Sequence, residues 1–362
     1  MWQALASYGG SVLKAAIVGA AGAGKSTVFH TLTGLAPLAA HGERRERARP
    51  GQMRLNDARL DALAEKIRPR KLTPIELTLL DFAPDPKEQQ KPSAGLDPEL
   101  APLLRDVDAL IVVVAQFGPW AGADPLEKAR AFDEEMVFAD YAQVERRLER
   151  LAKEHAEAGF EKKTLERFLG LLEQGKPLRA AEVSAQERRA TASFSFLSLR
   201  PALLVLNCEP EAASLPINAG LGAALSSRRI DAVRLAAAFE AELLPLSGSE
   251  RDELLQAAGL REPGRERLAA ALYAALDLIT FYTAGEQEVR AWPLARGATI
   301  LEAAGKIHSD IARGFIRAEV LGFEEFVAAG STARAREAGK LRLEGKTYVV
   351  CDGDIVHVRF KV

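Results

Sequence analysis

The nine residues from Gly19 to Thr27, GAAGAGKST, are the most informative stretch of this sequence for its fold. They match the pattern G-x-x-x-x-G-K-[ST], in which glycines let backbone N–H groups converge on phosphate oxygens. An apolar run from Leu13 to Val18 precedes the pattern, and the apolar residues Val28, Phe29 and Leu32 follow it. This context predicts a buried strand, a phosphate-binding loop (P-loop) and a helix whose N-terminus adds partial positive charge to the loop.

The residue types in this loop predict separate roles in holding a polyphosphate. The Lys25 ammonium group is expected to reach the β- and γ-phosphates, and the Ser26 hydroxyl is expected to ligate Mg²⁺. Asp81 follows an apolar run, and its carboxylate is expected to hold the Mg²⁺ shell. The alternatives are a glycine-rich turn with a solvated lysine and an acidic strand end that faces water. The predicted phosphate-binding residues are Gly19, Gly22, Ala23, Gly24, Lys25, Ser26 and Thr27, and the predicted metal ligands are Ser26 and Asp81.

Five short apolar runs without polar alternation predict parallel strands that are covered on both faces. These runs are Leu13 to Val18, Ile75 to Leu80, Val107 to Val114, Ala202 to Leu206 and Val233 to Ala237. Helical stretches separate them, for example Asp57 to Ile67. The alternation predicts an α/β fold with a doubly wound parallel sheet. We assign residues 11–120 and 200–277 to this P-loop domain of the G type.

The interval between the third and fourth runs has a different, helical pattern. Apolar and aromatic positions repeat there at alternating spacings of four and three, a heptad seam made of Val137, Tyr141, Val144, Leu148, Leu151 and His155. A second series, Leu165, Phe168 and Leu172, is stopped by Gly175 and Pro177, and Ala158-Gly159 predicts a turn between the two series. Residues 121–199 are therefore predicted to form an inserted antiparallel helical (coiled-coil) hairpin.

The C-terminal residues 278–362 predict a separate, small α+β domain. Thr299 is expected to cap a helix. Two β-like runs, Thr347 to Cys351 and Ile355 to Phe360, flank Asp352-Gly353-Asp354, which is a hairpin turn signal.

Asn207 follows the fourth apolar run, where G-type NTPases bind the nucleotide base. Its amide is expected to brace neighbouring loops while Cys208 and backbone N–H groups around Ala237 approach the base edge. An ordinary turn asparagine is the alternative. The sequence lacks the Asp that would pair with the N1–H and N2–H groups of guanine, which favours adenine or low base selectivity.

Composition and charge exclude several other classes of protein. The net charge of -2 excludes a histone-like binder that works through bulk positive charge. Two cysteines cannot form a disulfide framework or a four-thiolate zinc site. The sequence has neither a convincing targeting segment nor an apolar run of about 18 residues. We therefore expect a cytoplasmic protein without membrane contact.

Together these features resemble the YchF-type Obg-like ATPases, which are TRAFAC-class P-loop NTPases with a coiled-coil insertion and a C-terminal TGS domain. The most similar segments are FYTAGEQEVRAWPLARGATILEAAGKIHSDIARGFIRAEVLGFEEF and EAGKLRLEGKTYVVCDGDIVHVRF, together with VERRLERL, EQGKPLR and LRPALLVLN in the interior of the chain. The resemblance implies a β-grasp fold for residues 278–362. It also implies binding of ATP or GTP with Mg²⁺, usually hydrolysis with ATP preferred, and association with ribosomes.

The sequence departs from this family pattern where hydrolytic chemistry is usually carried. The family usually has Asn in place of Gly22 and a first-switch Thr, which the aligned Arg47-Ala48-Arg49-Pro50 lacks. Its second switch usually begins Asp-x-x-Gly, whereas this chain has Asp81-Phe82-Ala83-Pro84, and proline has no N–H to offer a γ-phosphate. The usual Asn-x-x-Glu is replaced by Asn207-Cys208-Glu209-Pro210. We expect weak or absent hydrolysis and assign no catalytic residue.

Three functions are compatible with these residues. The first is a nucleotide-binding switch protein that acts near translation, with the ribosome or RNA as partner. The second is a competent ATPase in which Arg44, Arg45, Arg47 or Arg49 neutralises developing phosphate charge. The third is a nucleotide-independent RNA- or ribosome-binding module that acts through the C-terminal domain and the helical hairpin. Residues 278–362 hold 12 basic and 11 acidic side chains, a near-neutral balance that does not demand RNA binding. A P-loop small-molecule kinase would explain neither the insertion nor the C-terminal domain.

Overall fold

The computed structural model describes residues 13–36, 48–82, 100–154 and 159–361. The chain divides into two compact units. The larger unit contains Lys14–Met53 and Thr78–Ala275, and the smaller unit contains Arg54–Leu77 together with the chain from Leu276 onward. None of the helices within the described ranges has both the length and the apolar character needed to cross a membrane.

The strands and helices are numbered in chain order. The strands are β1 (Leu13–Val18), β2 (Ala48–Arg54), β3 (Lys71–Thr73), β4 (Glu76–Phe82), β5 (Ala109–Gln116), β6 (Ala202–Cys208), β7 (Ile230–Leu235), β8 (Leu278–Ala284), β9 (Glu288–Ala295), β10 (Phe315–Gly322), β11 (Arg342–Glu344) and β12 (Asp354–Phe360). The helices are α1 (Lys25–Thr33), α2 (Ala58–Ile67), α3 (Ala101–Leu104), α4 (Pro125–Lys153), α5 (Phe160–Glu173), α6 (Ala185–Ala190), α7 (Pro210–Ala213), α8 (Ala219–Ser226), α9 (Ala237–Glu242), α10 (Gly248–Ala257), α11 (Gly264–Ala275), α12 (Ile300–Ile307), α13 (Ser309–Arg313), α14 (Phe323–Ala329) and α15 (Thr332–Glu337).

The larger unit is built on a six-stranded sheet with the strand order β2-β4-β1-β5-β6-β7. β1 pairs in parallel with β5, β5 with β6, and β6 with β7. The central strands β1, β5 and β6 are almost wholly buried, because helices cover both faces of a doubly wound sheet. The predicted α/β fold with a doubly wound parallel sheet is confirmed.

The ends of several strands differ from the predicted ones. β7 spans Ile230–Leu235 and not Val233 to Ala237, because α9 begins at Ala237. β4 and β6 extend beyond their apolar runs to Phe82 and Cys208, so that Asp81 and Asn207 are the penultimate residues of these strands. Both side chains therefore lie at the same carboxyl edge of the sheet.

Strand β2 was not predicted, because residues 40–50 were assigned to a polar loop. Residues 48–50 belong to β2, and residues 40–47 lie outside the described ranges. The strand alternates, with Gly51 and Met53 buried between exposed neighbours. It is the terminal strand of the described sheet, a position that tolerates proline and exposed charge because one side of its backbone need not pair.

Helices α4 and α5 pack against each other through the predicted apolar seam. A buried cluster contains Val137, Val144 and Leu151 of α4 with Leu165, Phe168 and Leu172 of α5. The first half of α4 contributes Ala129, Phe132 and Met136 to the core of the parallel sheet. Helix α4 is thus one continuous helix that leaves the sheet core and then packs against α5. His155 and Ala158, predicted at the seam and the turn, lie outside the described residues.

Buried charged groups hold the base of the insertion in place. Arg179 is fully buried and donates a hydrogen bond to Asp133 of α4, which is also fully buried. The Nε atom of Arg228 donates to the second oxygen of Asp133 at 2.5 Å. Burial lowers the pKa of Arg179, while the charge of Asp133 opposes this shift. The cluster joins three segments that are distant in sequence.

The smaller unit has its own sheet, in the order β11-β10-β12-β8-β9-β3. β8 pairs antiparallel with β9, and β12 pairs antiparallel with β10 and parallel with β8. Helix α12 begins with the predicted cap at Thr299, which forms a capping box with Glu302. The predicted hairpin between Thr347–Cys351 and β12 is wrong: Val349 makes only an isolated bridge to Thr299, and β12 takes β10 and β8 as its neighbours instead.

Residues 54–77 belong to the smaller unit, which the sequence did not indicate. Strand β3 pairs in parallel with β9 and extends the sheet. The Asp57 carboxylate accepts a hydrogen bond from the Tyr282 hydroxyl, and Arg59 donates to Asp352 at 2.7 Å. The segment between two strands of the first sheet is therefore part of the second.

Candidate nucleotide-binding site

Three glycines give the P-loop its tight turn between β1 and α1. Gly19, Gly22 and Gly24 have φ angles of 139°, 78° and 87°, a region that side-chain-bearing residues rarely adopt. A Cβ atom on Gly19 would lie 2.3 Å from the carbonyl oxygen of Val113 on β5, and one on Gly24 would lie 2.3 Å from Nδ2 of Asn207. The sequence needs glycine here for both backbone conformation and space.

The start of α1 has the features of an anion-binding helix end. Gly24 is the N-cap and supplies no side-chain hydrogen bond to the first turn of the helix. The Nζ atom of Lys25 donates to the carbonyl oxygens of Gly19 (2.6 Å) and Ala20 (3.0 Å), which hold the ammonium group over the loop. Gly22 is exposed at the tip of the loop. The arrangement places backbone N–H groups, the helix dipole and a cation around one accessible turn.

The Ser26 hydroxyl and the Asp81 carboxylate lie together beside the loop. Ser26 Oγ donates to Asp81 Oδ1 at 3.4 Å, and Asp81 is only 1% exposed. Burial raises the pKa of Asp81, although the Ser26 hydrogen bond and the charges of Lys25 and Arg49 oppose the shift. Among the described residues, Asp81 Oδ2 has no hydrogen-bond partner. A buried carboxylate oxygen without a partner is costly, and a bound cation would satisfy it.

The donor set fits Mg²⁺ better than a metal with a protein-only cage. Mg²⁺ is usually held by one or two protein oxygens together with phosphate oxygens and waters. Ser26 and Asp81 supply such oxygens. The described ranges contain no group of three or more His, Cys, Asp or Glu side chains arranged to hold a metal ion.

Asn207 braces the P-loop from the neighbouring side of the sheet. Its Nδ2 atom donates to the carbonyl oxygen of Ala23 at 3.1 Å, and its Oδ1 atom accepts from the Ala237 N–H at 3.3 Å. The side chain is 5% exposed, so both hydrogen bonds are shielded from water. The Thr31 hydroxyl also donates to the Ala237 carbonyl at 2.8 Å. The amide thus connects the P-loop, β6 and the start of α9, in the bracing role expected from the sequence.

The two other residues predicted at the base have different surroundings from those expected. The Ala237 N–H donates to Oδ1 of Asn207. The Cys208 side chain is buried in an apolar cluster with Ala213, Ala236 and Leu243. Burial raises the pKa of the Cys208 thiol. Both residues were predicted near the base from their positions in the chain alone. The direction of a side chain and the hydrogen bonds of a backbone group depend on tertiary contacts, which those positions do not reveal.

Arg49 is directed to the helix that follows the P-loop. Its Nη1 atom donates to the carbonyl oxygen of Ala36 at 2.5 Å, and its guanidinium lies 5.7 Å from the centre of the Phe29 ring. These contacts hold the guanidinium beside α1, where its charge still opposes the rise that burial causes in the pKa of Asp81. The other candidate arginines, Arg44, Arg45 and Arg47, and the second-switch residues Ala83 and Pro84 lie outside the described residues.

Two aromatic side chains lie against the P-loop and were not predicted. The Cη2 atom of Trp120 is 3.3 Å from the place that a Cβ atom on Gly22 would take, and Phe117 approaches Gly24 in the same way at 3.9 Å. Both residues follow β5 in an FGPW sequence that carries no motif. Only an aromatic pair directly after a central strand could have indicated them.

The comparison with known proteins agrees with this architecture over nearly the whole chain. The family model described as "YchF-GTPase_C: Protein of unknown function (DUF933)" matches residues 278–361. The Bacillus subtilis protein named "Ribosome-binding ATPase YchF" is 34% identical over 365 residues, covering 97% of this chain and 100% of the relative. The Haemophilus influenzae protein of the same name is 36% identical over 361 residues, covering 96% of this chain and 99% of the relative.

A solved structure agrees as well. The structure described as that of the Schizosaccharomyces pombe YchF GTPase superimposes with a TM-score of 0.79 at 26% sequence identity, covering 97% of this chain and 98% of the other. Similarity to the bacterial relatives exceeds 30% identity along nearly their full length. The chain therefore belongs to the YchF family of Obg-like P-loop NTPases.

Proposed function

We propose that this protein binds ATP, or GTP, as its Mg²⁺ complex at the P-loop and acts as a nucleotide-dependent switch. The buried Asp81 carboxylate supports this proposal. Its Oδ2 atom lacks a hydrogen-bond partner among the described residues, and its Oδ1 atom accepts from the Ser26 hydroxyl at 3.4 Å. A Mg²⁺ ion held by these two side chains would supply the missing partner and bridge to phosphate oxygens.

Different residues bind different parts of the nucleotide. The backbone N–H groups from Gly19 to Thr27 cradle the phosphates, and Lys25 neutralises their charge. Asn207 keeps the loop in register with the strand end at which the base binds, through its hydrogen bond to Ala23. The absence of an acidic residue two positions after Cys208 leaves guanine without its usual partner, which supports ATP or low selectivity.

Hydrolysis is proposed to be weak or absent. Transition-state stabilisation needs donors aimed at the γ-phosphate, and Pro84 has no N–H where the family usually has glycine. Arg49 is engaged by Ala36 and Phe29, which argues against a role as an arginine finger. A single-turnover assay with excess protein over Mg²⁺-ATP tests this part. We expect little or no more ADP than a Lys25→Ala control forms, and rapid conversion of most of the added ATP would contradict it.

A ribosome is the proposed partner, in the cytoplasm, because the bacterial relatives carry the name ribosome-binding ATPase. Co-sedimentation with ribosomes at increasing salt, with and without Mg²⁺-ATP, tests the switch. We expect nucleotide to change the bound fraction of wild-type protein and to leave that of Lys25→Ala unchanged. Binding that ignores nucleotide in both proteins would favour the alternative, a module that acts independently of nucleotide.

A further inference from the structure

An ordered turn carries Trp120 to the rim of the P-loop. Residues Gly118–Trp120 form a 3-10 turn, and the Trp120 N–H donates to the Phe117 carbonyl at 3.0 Å. The Trp120 carbonyl accepts from the Ala123 N–H at 2.9 Å, and the Ala123 carbonyl accepts from the Gln116 side chain at 2.7 Å. The backbone is therefore fixed on both sides of the indole, while Trp120 itself stays 44% exposed.

The exposed indole and its aromatic neighbour form a wall along the loop. Trp120 Cη2 and Cζ2 lie 3.3 Å and 3.6 Å from the Cβ position of Gly22, and Phe117 Cε1 lies 3.9 Å from that of Gly24. The two rings meet edge to face, with centres 6.0 Å apart and an angle of 75° between their planes. A large apolar surface that remains in water beside a functional loop is typical of a ligand contact.

The position of the wall within the sheet indicates which part of a ligand it meets. β5 lies between β1 and β6, so the turn after β5 reaches the carboxyl edge between the P-loop and Asn207. The Nδ2 atom of Asn207 lies 2.3 Å from the position that a Cβ atom on Gly24 would take, and Phe117 faces the same position. A nucleotide whose phosphates were bound by the P-loop would extend past these two rings toward the strand end at Asn207.

We propose that Trp120, supported by Phe117, packs against the nucleoside part of a nucleotide bound at the P-loop. This inference rests on the proposed function. Stacking on an aromatic ring is available to any base, because every base has a π-face. The wall would therefore supply affinity without base selectivity, in a chain that lacks the acidic partner of guanine. Gly22 suits this arrangement, since a side chain there would meet the indole.

Isothermal titration with three probes separates the wall from the phosphate cradle. The probes are Mg²⁺-ATP, Mg²⁺-GTP and Mg²⁺-tripolyphosphate, and the proteins are wild type, Trp120→Ala and Phe138→Ala. Phe138 is 73% exposed on α4 and serves as a matched control for loss of an exposed aromatic side chain. We expect Trp120→Ala to weaken ATP and GTP binding equally, by about tenfold or more, and to leave tripolyphosphate binding unchanged. Phe138→Ala should match wild type for all three.

The outcomes distinguish this inference from the proposed function. Unchanged nucleotide affinity in Trp120→Ala would overturn the inference alone, and so would an equal loss for tripolyphosphate, which would place Trp120 in support of the cradle. Wild-type protein that binds none of the three probes would overturn the proposed function and the inference with it.

Intrinsic fluorescence distinguishes direct contact of Trp120 with the nucleotide from a merely structural role of this residue. Of the three tryptophans, Trp292 is buried at 6% exposure in the smaller unit, Trp120 is accessible, and Trp2 lies outside the described residues. Comparison with Trp120→Phe therefore assigns an emission change to Trp120. ATP is expected to change the emission of wild-type protein and to leave that of Trp120→Phe unchanged, while Trp120→Phe keeps an affinity within about threefold of wild type because the ring is retained. Equal emission changes in both proteins would contradict the contact.

Discussion

The amide nitrogen Nδ2 of Asn207 lies 3.1 Å from the carbonyl oxygen of Ala23, a buried hydrogen bond between the end of β6 and the P-loop. The same amide accepts from the N–H of Ala237 at the start of α9. One side chain therefore holds three backbone segments at the carboxyl edge of the sheet. Any change in the loop on ligand binding is expected to be transmitted to the other two segments through this amide.

Replacement of Asn207 by Ala should reduce both stability and nucleotide affinity. Two buried backbone groups would lose their partner, at a cost of about 1–3 kcal/mol for each group. Denaturant unfolding measures the stability, and nucleotide titration measures the affinity. Asn218→Ala is the control, because Asn218 caps the exposed end of α8 and should cost only about 1 kcal/mol without changing affinity. Equal affinity in Asn207→Ala and wild type would contradict the bracing role.

Replacement of Asp81 by Asn should stabilise the protein without Mg²⁺ and weaken Mg²⁺-nucleotide binding. Burial raises the pKa of Asp81, so the folded state binds its proton more tightly than the unfolded state does. The ionised carboxylate therefore costs stability at neutral pH, and this cost disappears as the pH falls through the raised pKa. We expect a gain of about 1–3 kcal/mol in thermal unfolding at pH 7 with chelator. A lower melting temperature of the variant would show that the carboxylate is already satisfied.

The backbone of the P-loop should tolerate no side chain at its first position. Gly19→Ala combines a positive φ of 139° with a 2.3 Å approach to the Val113 carbonyl, whereas Gly34→Ala combines a positive φ of 73° with open space. The second variant should cost about 1 kcal/mol for backbone strain, and the first should cost more than about 3 kcal/mol, since the strand must also move. Equal stability of the two variants in urea would contradict this difference.

The buried charge at the base of the helical insertion should be far more sensitive than a surface charge. Asp133→Ala leaves the fully buried Arg179 without its partner, which typically costs about 3–5 kcal/mol. Asp106→Ala removes the partner of Lys14 in a surface ion pair. Because the Asp106 side chain is 79% exposed, this change should cost less than about 1 kcal/mol of stability. Comparable denaturation midpoints for the two variants would show that Arg179 finds another partner.

The parts of the fold predicted from the sequence are those encoded by local patterns. The strand before the P-loop, the helix after it and the seam of α4 and α5 follow from short-range periodicity, and the capping box at Thr299 follows from residue types three positions apart. The relation of Ser26 to Asp81 was also anticipated, because parallel strands end at a common edge.

The parts that were missed depend on contacts between distant residues. Edge strand β2 contains Pro50 and two arginines, residue types that predict a loop when the sequence is considered alone. Only the pairing with the neighbouring strand shows that this segment is a strand. The Tyr282–Asp57 hydrogen bond, which joins residues 54–77 to the smaller unit, has no signal in either local sequence. Trp120 belongs to no motif, and its place beside Gly22 follows from the packing of β5 against β1.

Calorimetric titration of Mg²⁺-ATP into the purified protein, in parallel with Lys25→Ala, tests whether the P-loop binds a Mg²⁺-nucleotide. We expect saturable heat for wild type and a loss of affinity when Mg²⁺ is replaced by chelator. We also expect at least a tenfold weaker affinity in Lys25→Ala, because the variant lacks the cation held over the loop by the Gly19 and Ala20 carbonyls. Absence of saturable heat with either ATP or GTP in wild-type protein that is folded by circular dichroism would contradict it.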